Sequence, residues 1–352
     1  MAENNDLKFM QRCLELASKA EGMTYPNPMV GAVIVHEGEI IGEGYHMKAG
    51  GPHAEVMAIG SVKNKELLDS STIYVNLEPC SHFGKTPPCA DLIISHKIPV
   101  VVVGTMDTSD KVSGKGLAKL REAGSKVIFG VAEDKCREFN KRFFTFHEKR
   151  RPYIILKWAQ SADGFIDIKR EKNARIGPHW IIGKSERILT HKWRATEQAI
   201  LVGAETVRTD NPLLNVRDWK GNNPVRLILS GSGIIPSELA MNKLIGSQVV
   251  FSFYPEKINL PGSVVVKINN HESSAAQILD YLFRWGIQSL FIEGGTRVLN
   301  HFISLGLWDE ARIFYGDQVY KDGVKAPEIG GKLILKTKFS KSTLEILMNS
   351  SI

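Results

Sequence analysis

Four residues carry the chemistry that can be read first: His53 and Glu55 in His53-Ala54-Glu55, Cys80 in Glu78-Pro79-Cys80, and Cys89 further on. One imidazole and two thiolates suit Zn²⁺, and three protein ligands leave the fourth tetrahedral position open for water. Zinc lowers the pKa of such a water to about 7, so a nucleophile is available at neutral pH. Glu55, two residues past His53 and near a helix start, is placed to carry a proton from that water to an acceptor on the substrate. A purely structural zinc calls for four protein ligands. Cys136 is the remaining candidate for a fourth, and His82 lies too close to Cys80 to ligate easily beside it.

His-x-Glu followed by Pro-Cys and a second Cys is the pattern of zinc nucleobase deaminases. This chain departs from the short form: residues 81–88, Ser-His-Phe-Gly-Lys-Thr-Pro-Pro, separate the two cysteines where editing deaminases carry two residues. The insertion brings an imidazole, His82, and an ammonium, Lys85, beside the metal, where they suit a substrate phosphate or ring. Its Pro87-Pro88 end also reads as a rigid structural loop.

The elements that must position these residues follow from periodicity. Residues 6–21 space their apolar side chains as an amphipathic helix, and Pro26-Asn27-Pro28 then breaks the chain. Residues 30–35 and 40–45 make a hairpin, 54–62 a helix and 72–76 a strand. A helix from about 89 to 94 and a β-branched strand at 100–103 follow, then helix, strand and helix at 116–123, 126–129 and 133–146. Helices on the faces of a sheet result. The seam falls at 147–152, where the basic run His147-Glu148-Lys149-Arg150-Arg151-Pro152 reads as a solvated linker. Beyond it the alternation restarts, with strands at 153–158, 199–202, 226–229, 249–253, 264–268, 289–292 and 312–315, and helices at 185–194, 274–285 and 296–305. Two α/β domains are expected, residues 1–147 and 152–352.

Composition narrows the class. The formal charge of +7 is a mild excess, compatible with phosphorylated small molecules and with nucleic acid. No apolar stretch approaches the roughly 18–20 residues a membrane helix needs, and the polar N-terminus lacks a signal core, so a cytoplasmic protein is expected. Four cysteines in so long a chain argue against a disulfide framework. Cys13 falls on a helical stripe with Leu7, Met10, Leu14 and Ala17; Cys136 falls on a charged helix and receives no role.

The second half is less legible. It lacks the Gly-x-Gly-x-x-Gly fingerprint of dinucleotide folds, and Gly114-Lys115-Gly116 in the first half reads as a loop. Glu293-Gly294-Gly295-Thr296 lies between an apolar strand and a helix. Its backbone N–H groups suit a phosphate, and a plain tight turn accounts for it equally well.

The longer motifs carry a resemblance. In the first half they are Pro26-Asn27-Pro28-Met29-Val30-Gly31-Ala32-Val33, Gly42-x-Gly44-x-His46, His53-Ala54-Glu55 and the whole run from Glu78 to Cys89. In the second they are Lys157-x-x-x-Ser161-x-Asp163-Gly164, Ile200-Leu201-Val202-Gly203, Asp210-Asn211-Pro212, Arg217 and Glu293-Gly294-Gly295. Together they resemble the bifunctional riboflavin-biosynthesis deaminase/reductases, from about residue 6 to 329. The resemblance implies a cytidine-deaminase-like α/β/α domain followed by a dihydrofolate-reductase-like α/β domain. It implies zinc-dependent deamination of a diaminohydroxy-phosphoribosylaminopyrimidine, then NADPH-dependent reduction of the ribosyl chain to ribityl. Carried over, His53, Cys80 and Cys89 would hold zinc, with Glu55 as proton carrier. Asn27, His46, His82, Lys85 and Asp107 would contact the pyrimidine or its ribose phosphate. Lys157, Asp210, Arg217 and Glu293 would bind the ribose and its phosphate or orient the reacting carbon, and Gly203, Gly294, Gly295 and Thr296 would meet NADPH. The implied partner is a phosphorylated pyrimidine small molecule, with no nucleic acid and no membrane, and a homo-oligomer is the expected assembly.

Two positions depart from the family. Asp107-Thr108-Ser109 stands where members carry Asp-Pro-Asn, and Ser109 lacks an amide's paired donor and acceptor. Ile182 stands where a hydroxyl residue is usual near the cofactor. They keep open a deaminase whose second half has lost reduction. A nucleic-acid base deaminase is the other alternative, and it would show a basic face with stacking aromatics.

Overall fold

A computed structural model of the chain describes residues 2–81, 83, 87–108, 114–171, 175–243 and 246–350. The chain divides into two compact units, Met1–Arg150 and Arg151–Ile352.

In the first unit the order is α1 (Ala2–Ser18), β1 (Gly31–His36), β2 (Glu39–Tyr45), α2 (Ala54–Ser61), β3 (Thr72–Leu77), α3 (Cys89–Ser95), β4 (Val100–Thr105), α4 (Lys115–Glu122), β5 (Lys126–Phe129), α5 (Glu133–Phe139) and α6 (Lys141–Lys149). The strands form one sheet in the order β2-β1-β3-β4-β5. β1 runs antiparallel to both neighbours, while β3, β4 and β5 are parallel. Strand residues alternate between faces. Ala32, Ile34, Ile73, Val75, Val101 and Val103 pack with Ala58, Ile93 and Leu120 from α2, α3 and α4. Val33, Val35, Tyr74 and Val102 pack on the other face with Met10 and Cys13 of α1 and Cys136 of α5. Two apolar faces covered by helices make the expected α/β/α layering.

Local departures have local causes. The helix expected over 133–146 is two helices, because Asn140 leaves helical geometry (φ −104°, ψ 25°). Its side-chain amide instead brackets Met29, accepting from the N–H and donating to the carbonyl, each at 2.9 Å. Leu7 was expected on the apolar stripe of α1 and is 49 % exposed. The basic run at the seam is in part the end of α6, and Arg151 is no solvated charge: its guanidinium pairs with both oxygens of Asp309 at 2.6 and 2.8 Å.

The second unit contains β6 (Tyr153–Gln160), β7 (Phe165–Ile168), α7 (Lys184–Thr196), β8 (Ala199–Gly203), α8 (Ala204–Asp210), β9 (Val225–Ser230), β10 (Gln248–Ser252), β11 (Val264–Lys267), α9 (Ser274–Arg284), β12 (Ser289–Ile292), α10 (Thr296–Ser304), β13 (Glu310–Gly316), β14 (Gly323–Lys325), β15 (Lys332–Lys338) and β16 (Ser342–Met348). Nine strands form one sheet, β11-β10-β9-β8-β12-β6-β13-β16-β15, and β7 pairs with β14 apart from it. The run from β11 to β13 is parallel, and β16 and β15 close the sheet antiparallel. Central strands are buried on both faces: Ile154 and Leu156 face one core, Tyr153 and Ile155 the other. Unbroken apolar runs are therefore their signature.

Topology locates a crevice. After β8 the chain moves outward to β9, whereas after β12 it moves the opposite way to β13, although β8 and β12 are neighbours. Divergence of adjacent parallel strands opens the sheet at their carboxyl ends, where α/β proteins bind ligands.

Candidate active sites

The metal-ligand candidates converge. His53 immediately precedes α2, Cys80 follows β3, and Cys89 opens α3. Nδ1 of His53 lies 3.6 Å from the Cys80 sulfur and 3.3 Å from the Cys89 sulfur. All three ligand atoms fall within 4.8 Å of one another. A nitrogen and a sulfur bound to one tetrahedral zinc stand about 3.6 Å apart at ordinary bond lengths. The residues present therefore fit that ion.

The electrostatics favour a thiolate. The Cys89 thiol, the His53 ring and the Cys89 N–H, which donates to Cys80 Sγ at 3.3 Å, together hold the Cys80 pKa well down. Glu55 lies in the first turn of α2 and is 3 % exposed. Burial, aided by the Cys80 charge and opposed by His53, raises its pKa. A carboxyl so placed keeps a proton more readily than one in water.

Asn27 and His46 are brought together beside this cluster, with the His46 ring 5.6 Å from that of His53. Nδ1 of His46 is 3.0 Å from the Pro52 carbonyl, which only accepts, so Nδ1 carries the proton. Nε2 then accepts from the Asn27 amide at 3.0 Å. Burial lowers the His46 pKa, in keeping with a neutral ring. Asp107 follows β4, 7 % exposed. His82, Lys85 and Ser109 lie outside the described residues.

Sequence reasoning missed what fixes these groups. Asn76, mid-strand in β3, accepts from Gly31 N–H at 2.8 Å and donates to Met29 O at 3.1 Å. With Asn140 it holds the backbone next to Asn27. Glu78 is buried, and its carboxylate accepts four backbone N–H groups: Asp107 and Gly114 on one oxygen, Gly116 and Leu117 on the other. The Gly114-Lys115-Gly116 run, expected to be a loop, thus opens α4 around a carboxylate of its own chain. A Cβ on Gly116 would stand 2.1 Å from the Pro79 carbonyl, so only glycine allows that approach. A glycine pair flanking one residue was the available signal, and its partner was two residues from a predicted metal ligand.

In the second unit Lys157 (β6) and Glu293 (after β12) meet, with Nζ 3.8 Å from Oε2. The bidentate partner is Arg194 of α7, which the sequence reading passed over: Nε and Nη2 donate to the two Glu293 oxygens at 2.6 and 2.9 Å. Burial alone would raise the Glu293 pKa, but Arg194 and Lys157 outweigh it and hold it down to about 2. Burial lowers the Lys157 pKa against the pull of Glu293. Arg217 lies within the electrostatic reach of Arg194 and Glu293, while its guanidinium donates to Asn215 Oδ1 at 3.2 Å and stands 3.8 Å from Asp218. Asp210, at the end of α8, bonds elsewhere: its carboxylate receives Arg170, which also pairs with Asp167.

The glycine candidates gather at the crevice between β8 and β12. Gly203 ends β8, Gly294 and Gly295 follow β12, and a Cβ on Gly294 would stand 3.0 Å from Val298 and 3.4 Å from the Gly203 nitrogen. Gly295 precedes α10; its own N–H donates to Thr206 Oγ1 at 3.1 Å and its carbonyl takes the Val298 N–H at 3.0 Å, so the N–H groups of Thr296 and Arg297 are the first-turn donors that suit a phosphate-bearing cofactor. The Thr296 hydroxyl donates to the Lys325 carbonyl. Ile182 is buried with Ile181, Phe314 and Leu344, so the departure from a hydroxyl is absorbed as core packing.

Comparison with known proteins agrees with both halves. Residues 3–105 match the cytidine and deoxycytidylate deaminase zinc-binding region, and residues 152–319 match the RibD C-terminal domain. The chain is 40% identical to the riboflavin biosynthesis protein RibD of Aquifex aeolicus (strain VF5), over 99% of this chain and 97% of that one. A crystal structure of a diaminohydroxyphosphoribosylaminopyrimidine deaminase/5-amino-6-(5-phosphoribosylamino)uracil reductase from Thermotoga maritima superposes with a TM-score of 0.89 at 35% identity, covering 99% of this chain and 100% of that one. RibD of Acinetobacter baumannii gives 0.88 at 30% identity, covering 99% of each. Among the described residues no helix is long and apolar enough to cross a membrane. With a zinc-binding deaminase domain joined to a reductase domain of the kind that uses NADPH, the chain belongs to the RibD family, the bifunctional deaminase/reductases of riboflavin biosynthesis.

Proposed function

We propose that His53, Cys80 and Cys89 hold the zinc, that Glu55 moves the proton, and that the first unit deaminates a diaminohydroxy-phosphoribosylaminopyrimidine to the uracil. The convergence of one ring nitrogen and two sulfurs within 4.8 Å carries this reading. Zinc supplies a Lewis acid that makes water nucleophilic near neutral pH. Glu55 passes the first proton of the attacking water to the ring nitrogen and the second, from the new hydroxyl, to the departing amine. A carbon–oxygen bond forms, the carbon–nitrogen bond breaks, and ammonia leaves. Asn27, with its amide turned by His46, recognises the pyrimidine; Asp107, His82 and Lys85 contact the ring or its ribose phosphate.

The second unit then reduces the ribosyl chain to ribityl. NADPH supplies the hydride. Gly203, Gly294, Gly295 and the Thr296 backbone receive the cofactor at the β8/β12 crevice. Lys157 and Glu293 orient the reacting carbon, with Arg194 fixing Glu293, and Arg217 meets the phosphorylated end. Asp210, bonded to Arg170 and apart from the Glu293 cluster, is a substrate-binding candidate on the strength of the family motif alone. The cluster around Glu293 supports reduction over a degenerate second half. A cytoplasmic homo-oligomer completes the reading, to be checked by fractionation and sedimentation velocity.

Incubation with the pyrimidine substrate, recording ammonia and NADPH absorbance separately, tests both halves. Ammonia release followed by stoichiometric NADPH oxidation is expected; ammonia alone would remove the reductase half of the proposal.

A further inference from the structure

α7 carries a buried imidazole one turn before Arg194. His191 is 3 % exposed and has no place in the chemistry above. Its Nδ1 accepts from the backbone N–H of Arg217 at 3.4 Å, and its Nε2 stands 3.3 Å from Oδ2 of Asp218. The same carboxylate oxygen is 3.8 Å from Nε of Arg217. His191 therefore holds Arg217 directly through the main chain and stands beside Asp218 at its guanidinium, which also donates to Asn215 Oδ1 at 3.2 Å.

The segment that carries Arg217 is otherwise irregular and needs such anchors. Leu214 within it is buried with φ at 50°. Its neighbour Asn215 gives its carbonyl to Arg194 Nη1 at 3.2 Å, and Val216 N–H donates to Asn223 at 2.8 Å. The face of α7 presenting His191 and Arg194 thus fixes the segment at two points one helical turn apart. The first holds Arg217, and the second is the residue that holds Glu293.

An accepting Nδ1 with a donating Nε2–H defines one neutral tautomer of the ring. The surroundings enforce it. Burial, with the cations of Arg194 and Arg217, pushes the His191 pKa down to about 4 against the pull of Asp218 and Glu293. Arg187, on the same helix, adds to the positive field at Arg217. An imidazolium would turn Nδ1 into a donor facing a donor and release the Arg217 main chain.

We propose that His191 is a positioning residue of the reductase, a neutral buried ring that aims Arg217 at the phosphorylated end of the ribosyl substrate. This rests on the reading that Arg217 contacts the substrate. It predicts a loss in binding rather than in the hydride step, because His191 acts through a binding group.

Two polar replacements of similar shape separate positioning from packing. His191→Asn keeps an acceptor near the place of Nδ1; His191→Gln keeps a donor toward Asp218 but lacks that acceptor. With the aminouracil substrate and saturating NADPH, His191→Gln is expected to raise KM about tenfold, the worth of one lost hydrogen bond, with kcat within about twofold. His191→Asn is expected to restore KM to within about threefold of the parent. Adding His191→Gln to Arg217→Ala should cost nothing beyond Arg217→Ala itself. Tryptophan fluorescence melts verify folding, since Trp158, Trp180, Trp193, Trp219, Trp285 and Trp308 all lie in the second unit. Equal KM values for the Asn and Gln variants, a fall in kcat at unchanged KM, or additive losses in the double variant would overturn the proposal while leaving Arg217 in place. An unchanged KM for Arg217→Ala alone would instead remove the substrate contact on which the proposal rests.

Discussion

The two sites are built in opposite ways. In the first unit the metal-ligand candidates lie between His53 and Cys89 and hang on the ends of β3, α2 and α3. In the second, Lys157, Arg194, Arg217 and Glu293 come from β6, α7, a connecting segment and the end of β12. Metal ligation constrains the chemistry of every donor, so a His and two Cys in that order announce themselves. An ion-pair network uses residue types found on any surface, and their meaning appears only once the sheet has folded.

The contrast predicts separable losses. The largest effect is expected for Glu55→Gln, which removes the proton carrier while leaving the three ligand atoms in place. Ammonia release should fall about 10³-fold, within the usual range for general acid–base groups, with zinc content and reduction of supplied aminouracil unchanged. Substantial deamination by that variant would break the first half of the comparison.

Arg194→Leu should follow. It strips the bidentate partner from a buried carboxylate, at a cost of about 3–5 kcal/mol in the second unit. Tryptophan fluorescence in denaturant would register it, and deamination should survive. A change under about 1 kcal/mol would mean that the Glu293 cluster is solvated and not a fixed network.

Acid should distinguish the units next. Glu293 has its pKa depressed from 4.5 to about 2, so its pair stabilises the fold fully above pH 4.5 and is lost as pH falls through about 2. His191, depressed from 6.5 to about 4, acts in the same direction: the unfolded chain binds the proton first, and stability declines as pH falls from 6.5 through 4. Tryptophan-detected melting midpoints should therefore drop steadily between pH 6.5 and 4, and less in His191→Asn. A flat profile would contradict a neutral buried ring.

The smallest effect is expected for Thr296→Val. Among the described residues its hydroxyl bonds to the Lys325 carbonyl, so the loss should be about 1 kcal/mol of stability with the KM for NADPH nearly unchanged. A large rise in that KM would return the side chain to the cofactor.

Much of the architecture was legible because it is periodic. The hairpin of β1 and β2 and the strand β12 fell where alternation and apolar runs put them. Short or partly exposed elements were not: β7 and β14 have four and three residues, and every residue of β15 is exposed, so no apolar period marks them. α8 was hidden by the turn signal of Asp210-Asn211-Pro212 at its end. Within the sites, donors of metal chemistry were visible, whereas Glu78, Asn76, Asn140, His191 and Arg194 were not. Each of them works by bonding to backbone or to another charge distant in the chain, and apart from the glycine pair that wraps Glu78, sequence spacing carries no trace of that.

Zinc K-edge X-ray absorption on the purified protein tests the central arrangement most directly. Two sulfur scatterers near 2.3 Å and one imidazole nitrogen near 2.0 Å, with a light fourth ligand, are expected for a catalytic His-Cys-Cys centre. Three or four sulfurs, or a shell of oxygen and nitrogen alone, would contradict it.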